Sequence, residues 1–319
     1  MRILVIKLAA LGDVVLAFAA MQRIRNAHVN AHITLLTTPP FEALVKASGL
    51  FDEIWTDGRP RGLIAEIGML RRLRRGRFDR VYDLQTSSRS SRYFYGLLPN
   101  PPEWSGIAFG ASHPHANPNR DHMHTLERQA DQLMAAGIWP DAPIAPGAAP
   151  PPDLQFMLAS EDPRLSPEHF GLTTPYALLI PGASPHRPLK RWPADHYGLL
   201  AQRLAGEGMA VAVIGGPGEA ALAQEIKAAA PDVIDLTGKT DFAQVAALGA
   251  RATVAVGNDT GPTHLIAAAG APTVVVFSAD SDPDLCAPRG RSVCVLQRPL
   301  LRDLDVNTVL SAVATVRAA

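Results

Sequence analysis

Short runs of consecutive apolar residues alternate along this chain with longer stretches in which apolar side chains recur every three or four positions. In the first half, runs at 2–6, 32–36, 52–55 and 80–84 read as strands, and the spacing predicts helices over 13–25, 41–47 and 120–136. Leu126, Ala130, Leu133 and Met134 share one face of the last of these. Strand and helix in strict alternation imply a parallel sheet with right-handed crossovers. Six prolines then fall within residues 140–152, a density that forbids a regular element and marks a connection, extending toward residue 170. The alternation resumes, with strands at 176–180, 210–214, 233–236, 253–256 and 273–277. Helices are expected over 194–206, 219–229 and 242–250, then from Pro262, and finally over 306–316. The expected architecture is α/β: two Rossmann-like domains, 1–150 and 151–319, facing each other across a cleft. Ligands belong at the carboxyl ends of the strands.

Length and composition sharpen this picture without changing it. A chain of 319 residues is long for one ordinary core and suits two domains. Hydrophobic content of 47% and charged content of 19% mark a globular protein. No apolar run reaches the roughly 20 residues needed to span a bilayer. The amino terminus enters a strand directly, without the order of a signal peptide, so a cytoplasmic location is expected. Cys286 and Cys294 match no metal or redox spacing and read as reduced packing residues. Residues 1–150 hold 17 Lys and Arg against 13 Asp and Glu; residues 151–319 reverse those counts. A basic first half suggests an anionic partner, and the modest imbalance argues against nucleic acid.

The stretch Gly257-Asn258-Asp259-Thr260-Gly261-Pro262-Thr263-His264-Leu265 follows a strand and opens a helix, with Pro262 near its first position and Gly270 past its last. The first-turn N–H groups and the helix dipole favour an anion there, and Thr260, Thr263 and His264 add donors. This reads as a pyrophosphate cradle. An ordinary turn capped by Asp259 or Thr260 would use the same residues.

Two further loops follow the first strand of each half. Lys7-Leu8-Ala9-Ala10-Leu11-Gly12-Asp13 is neither a dinucleotide fingerprint nor a P-loop. Its Asp13 suits either a helix N-cap or a general base for a sugar hydroxyl, the latter only if one carboxylate oxygen stays free. Pro181-Gly182-Ala183-Ser184-Pro185-His186-Arg187-Pro188-Leu189-Lys190-Arg191-Trp192-Pro193 combines small residues for close backbone approach with the hydroxyl of Ser184 and the point charge of Lys190. The alternative is a solvated basic loop.

Taken in order, Lys-x-x-x-x-Gly-Asp, Pro-Gly-Ala-Ser…Lys-Arg-Trp-Pro and Gly-Asn-Asp-Thr-Gly-Pro-Thr-His-Leu resemble the heptosyltransferases of lipopolysaccharide core assembly, glycosyltransferase family nine, over nearly the whole chain. The resemblance implies the GT-B arrangement and an inverting, metal-independent transfer from a nucleotide sugar, typically ADP-heptose, with no cofactor. It implies an acceptor-binding first domain and a donor-binding second one. Asp13 then resembles the catalytic base and Lys190 the lysine beside the donor phosphates. Asp259 resembles the acid facing the sugar, and Thr260, Gly261 and His264 the pyrophosphate cradle. Glu219, after Gly215-Gly216-Pro217-Gly218, is placed like a ribose-binding acid, and Thr240 where the family lines the adenine. Pro185 and His186 depart from members with adjacent threonines before the lysine, which leaves the nucleotide sugar open.

Two segments carry no transferable motif. Four histidines lie within 113–124, but prolines and asparagines between them suggest a loop rather than a metal site. The run Arg71-Arg72-Leu73-Arg74-Arg75-Gly76-Arg77, with Arg59, Arg61, Arg89 and Arg92, is either a solvated surface or the contact for an anionic, lipid-linked saccharide acceptor, with peripheral contact at the inner membrane. A GT-B enzyme using another nucleotide sugar and a non-catalytic sugar-nucleotide module remain the rivals.

Overall fold

The computed structural model describes residues 1–140, 144–159, 162–172 and 175–319. Residues 141–143, inside the expected connection, and 160–161, in its extension, lie outside them. The chain divides into two compact units, Met1–Pro151 and Pro152–Ala319.

The first unit runs β1 (Arg2–Ile6), α1 (Leu11–Leu16), α2 (Phe18–Ala27), β2 (His32–Leu36), α3 (Glu42–Ala47) and β3 (Glu53–Trp55). It continues through α4 (Leu63–Gly76), β4 (Arg80–Asp83), α5 (Ser88–Gly96), β5 (Glu103–Gly106), β6 (His113–Pro114) and α6 (Thr125–Ala135). Its sheet has the order β3-β2-β1-β4-β5-β6, with every pair parallel. The second unit runs β7 (Tyr176–Ile180), α7 (Ala194–Gly206), β8 (Ala210–Val213), α8 (Ala220–Ala229), β9 (Ile234–Asp235) and α9 (Phe242–Arg251). It ends with β10 (Val254–Asn258), α10 (Gly261–Ala268), β11 (Thr273–Phe277), α11 (Pro283–Cys286), β12 (Val293–Gln297) and α12 (Val306–Ala318). Its order, β12-β11-β10-β7-β8-β9, is also all parallel. Renumbered within the unit, this is the same 3-2-1-4-5-6 winding, so each unit is doubly wound in the Rossmann manner.

The apolar runs form strands because helices cover both faces of each sheet. Every residue of β7, β10 and β11 is buried. In the second unit Leu179, Tyr197, Leu200, Val213, Val256, Val276 and Val313 share one core. In the first, Leu4, Ile6, Val81, Phe94 and Trp104 share another. A smaller cluster joins Leu16, Leu126 and Ala130 to Ala149, while Gly147 and Ala149 donate their N–H groups to Glu127. Gly147 and Ala149, within the proline-rich stretch, therefore pack on the first unit. Leu154 donates its N–H to Ala268 in the second.

Some expected elements differ. The helix expected over 13–25 starts at Leu11 and is interrupted at Ala17, whose N–H is shared between the carbonyls of Asp13 and Val14. That expected over 120–136 begins only at Thr125; His124 stands outside it in extended backbone and caps it by accepting from the Leu126 N–H. A short 3-10 turn covers Arg120–His122. Strands β5, β6 and β12 were not expected.

Candidate active site

A doubly wound sheet opens a crevice where the strand order reverses, beyond the carboxyl ends of the two strands that flank the reversal. In the first unit that point lies between β1 and β4. The loop after β1 carries Lys7 to Asp13, and the loop after β4 carries Leu84, Gln85 and Thr86. The two are sewn together: Gln85 Oε1 accepts the N–H groups of Leu8 and Ala9 at 2.7 and 3.2 Å. Asp83 Oδ1 accepts from Gln85 and Thr86, and Thr86 takes a left-handed backbone, φ 42°.

A polar pocket of about 200 Å³ forms there, lined by Lys7, Asp13, Gln85, Thr86, Arg120, Arg128 and neighbouring residues. Asp13 is not the N-cap of α1. Ala10 holds that position, and Asp13 Oδ2 reaches back to its N–H at 3.0 Å. Among the described residues Oδ1 has no hydrogen-bond partner, which is the condition a general base requires. Lys7 is buried and donates to the Leu84 carbonyl at 3.2 Å. Burial lowers the pKa of its amine against the opposing pull of Asp13 and Asp83. Asp83 beneath it is wholly buried, and desolvation pushes its carboxyl up to about 6. Lys7 opens the first motif but was given no role, and Asp83, Arg120 and Arg128 were not singled out as site residues, since none of the three stands in a motif whose chemistry is local in sequence.

The arginines named as acceptor contacts lie elsewhere. Arg59 and Arg61 are exposed on the loop before α4. Arg89, on α5, donates to the Pro60 carbonyl of that loop at 3.4 Å, and Arg92 is exposed one turn on. Among the described residues none of them lines the Asp13 pocket. Part of the basic run on α4 has structural work: Arg72 pairs with Asp57 at 2.7 Å and stacks 4.0 Å over the Trp55 ring, and Arg74 donates to the Gly96 carbonyl.

In the second unit the reversal lies between β7 and β10, and the two motifs found there in sequence meet. Lys190 Nζ lies 2.5 Å from Asp259 Oδ2, which also accepts from the Ser281 hydroxyl at 2.7 Å; Asp259 Oδ1 lies 3.4 Å from His264 Nε2. Burial alone would raise the Asp259 pKa, but the bonds from His264, Lys190 and Ser281 outweigh it, and the carboxyl lies well below its ordinary value. Thr260 is the N-cap of α10, and its side chain makes no capping bond. Gly261 and Pro262 follow as the first helical residues. Ser184 is exposed on the loop after β7.

Asn258 organises this corner. Fully buried, it donates through Nδ2 to the carbonyls of Pro181 and Gly182 and accepts through Oδ1 from the Trp192 N–H and the Tyr197 hydroxyl. Both ends of the Lys190 loop are thereby tied to the end of β10. Glu219 folds back toward the same loop. Its carboxylate accepts from the Gly216 N–H at 2.6 Å and lies against Gly182 and Gly215, at both of which a Cβ would collide with it. Thr240 closes the neighbouring turn, in which the Gly238 N–H donates to the Gly215 carbonyl. All the donor residues named from sequence thus lie on loops, or in the opening residues of α10, at the carboxyl end of one sheet.

The histidine-rich segment is a packed structure. His115 lies 2.7 Å from Asp131, and His124 lies 3.3 Å from Glu127. Among the described residues no three His, Cys, Asp or Glu side chains gather as a metal site would require. Cys286 and Cys294 form no disulfide among the described residues, and both are half-buried.

Residues 67–301 match the family described as glycosyltransferase family 9 (heptosyltransferase), well over half of the chain. The chain belongs to that family. As a family 9 glycosyltransferase it has a relative in lipopolysaccharide heptosyltransferase 2 of Escherichia coli K12, 26% identical over 321 residues, spanning 93% of this chain and 88% of the relative. Its fold superposes on the solved ADP-heptose lipopolysaccharide heptosyltransferase II of E. coli with a TM-score of 0.80, at 24% identity over 100% of this chain and 99% of the other. The E. coli heptosyltransferase WaaC with ADP gives 0.75 at 20% identity over 99% and 100%. The fold is GT-B, and the chain is a glycosyltransferase enzyme. Among the described residues no helix of this family member is long and apolar enough to cross a membrane.

Proposed function

We propose that the protein transfers heptose from ADP-heptose to a lipopolysaccharide core acceptor with inversion, Asp13 acting as general base. The observation that carries this reading is Asp13 itself: a carboxylate in a polar pocket at a switch point, one oxygen held by the Ala10 N–H and the other uncommitted among the described residues. Relatives of the chain include a lipopolysaccharide heptosyltransferase and a solved heptosyltransferase with ADP, which supports this donor and acceptor class.

In this mechanism the second unit binds the nucleotide diphosphate. Lys190, Ser184 and the amino terminus of α10 at Thr260 and Gly261 offset the charge that builds on the leaving diphosphate, with no metal ion required. Glu219 binds the ribose and Thr240 the adenine. Asp259, kept ionised by Lys190 and His264, faces the sugar. The acceptor hydroxyl enters the first unit, gives its proton to Asp13 Oδ1 and attacks the anomeric carbon from the face opposite the diphosphate. Arg59, Arg61, Arg89 and Arg92 meet anionic groups of the lipid-linked acceptor from the cytoplasmic side, beside the exposed Leu63 and Ile64.

Replacing Asp13 by Ala tests the reading. Turnover falls by roughly 10²–10⁴-fold, while ADP affinity measured by calorimetry stays near that of the wild type. A wild-type rate removes Asp13 from the mechanism. Assaying the same preparation with ADP-, UDP- and GDP-sugars decides the nucleotide, which Pro185 and His186 leave undetermined by motif.

A further inference from the structure

The histidine segment has no part in the mechanism above, yet it builds one wall of the Asp13 pocket. The His115 side chain is 1% exposed, and its Nε2 lies 2.7 Å from Asp131 Oδ2 on α6. Asn117 Nδ2 donates to the same oxygen at 3.1 Å. The His115 N–H donates to the Gly106 carbonyl at the end of β5, so ring and backbone are both held. With Nε2–H donated to Asp131, Nδ1 carries the lone pair, and it faces Arg120 Nε at 3.5 Å. Arg120 Nη1 is bound to Asp121 at 2.8 Å. Its guanidinium is therefore gripped at two corners, while Nη2 is uncommitted among the described residues and the side chain lines the pocket that holds Asp13.

We propose that His115, fixed by Asp131, is a positioning residue that aims the Arg120 guanidinium at the acceptor saccharide in the Asp13 pocket. This rests on the reading of that pocket as the acceptor site. The charged groups facing the ring are Asp131, Arg120 and Arg128; desolvation, reinforced by the two arginines against Asp131, lowers the His115 pKa and keeps the imidazole neutral. A neutral ring is needed, because a proton on Nδ1 would set a cation against the guanidinium.

Amide isosteres separate the two ring nitrogens. His115→Gln keeps a donor near the Nε2 position and loses the acceptor that meets Arg120. It raises the acceptor KM about tenfold, the worth of roughly one hydrogen bond, with a much smaller change in kcat. His115→Asn restores an acceptor near the Nδ1 position and brings KM partway back. Arg120→Met raises KM at least as far, and His115→Gln added to it has no further effect, because both act through one contact. Asp131→Asn, which leaves the ring a neutral acceptor in place of a charged one and so loosens it, gives a smaller rise in the same direction and serves if His115→Gln does not fold.

A histidine that only holds the segment together would lower kcat and thermal stability without the KM split, and its effect would add to that of Arg120→Met; either result overturns the proposal. A wild-type acceptor KM in Arg120→Met also overturns it, while leaving the Asp13 reading intact if Asp13→Ala is inactive. Full activity in Asp13→Ala brings down the reading beneath it.

Discussion

Asp83 and Asp259 are both buried carboxylates at a strand end, and their pKa values move in opposite directions, because burial prevails at Asp83 and the bonds from neighbours prevail at Asp259. Asp259 meets a lysine, a histidine and a hydroxyl, and it stays ionised. At Asp83 burial outweighs the bonds from two backbone N–H groups and the pull of a desolvated lysine, and the pKa rises from 3.8 to about 6. The folded protein therefore holds a proton on Asp83 between about pH 4 and pH 6 that the unfolded chain releases. Stability from this group is greatest at low pH and is lost as pH rises through 6, by on the order of 3 kcal/mol. Asp83→Asn retains an acceptor for Gln85 and Thr86 and abolishes the titration. Melts of the two proteins should diverge between pH 4 and pH 6, with the variant gaining on the wild type; parallel curves would contradict the assignment. Lys190 poses a different test. It pairs with Asp259 but is expected to serve the donor phosphates, so Lys190→Ala should weaken ADP binding by calorimetry about tenfold or more, as loss of a charged hydrogen bond does. Unchanged affinity would confine Lys190 to its ion pair.

Loops at the carboxyl ends of strands do the work here, and their legibility in the sequence depended on how local their bonding is. The cradle at 257–265 could be read because strand, cap and helix are contiguous. The Lys190 loop could be read because its small residues and lysine follow a clear strand. The clamp joining the two could not be: Asn258 reaches 77 residues back to Pro181, and nothing near it in sequence says so. Its removal by Asn258→Ala leaves the carbonyls of Pro181 and Gly182 and the Trp192 N–H without their buried partner. Urea unfolding should show a loss of more than about 3 kcal/mol, and stability equal to the wild type would mean the loop closes by other means. Strands β5 and β6 escaped notice for a related reason. Glu103-Trp104-Ser105-Gly106 and His113-Pro114 have neither an apolar run nor a clean alternation; β5 pairs on the open side of β4, and β6 on β5 in turn. The interruption at Ala17 has no breaker residue to announce it. The arginines that line the Asp13 pocket were not legible either. Seven arginines within 59–77 draw the eye, whereas Arg120 and Arg128, which line the Asp13 pocket, are scattered among histidines and helix residues.

Each unit has its own sheet and its own core. The donor loops, with the Asn258 clamp, all belong to Pro152–Ala319. Expressed alone, that fragment should fold cooperatively and bind ADP within about tenfold of the whole protein. An unfolded fragment, or one that ignores ADP, would show that the first unit is needed to build the donor site. The repeated winding was legible in the alternation of apolar runs and amphipathic stretches; the strand order within each sheet was not, since it is set by crossovers rather than by any residue. The brevity of β6 has a last consequence. It is two residues long and its second is Pro114, which has no N–H to offer. At the opposite margin of that sheet β3 has three residues, and in the other sheet β9 has two. Among the described residues three of the four sheet margins are thus too short to template a neighbouring chain, and only β12, five residues long, presents a row of backbone groups on which self-association through strand addition could begin.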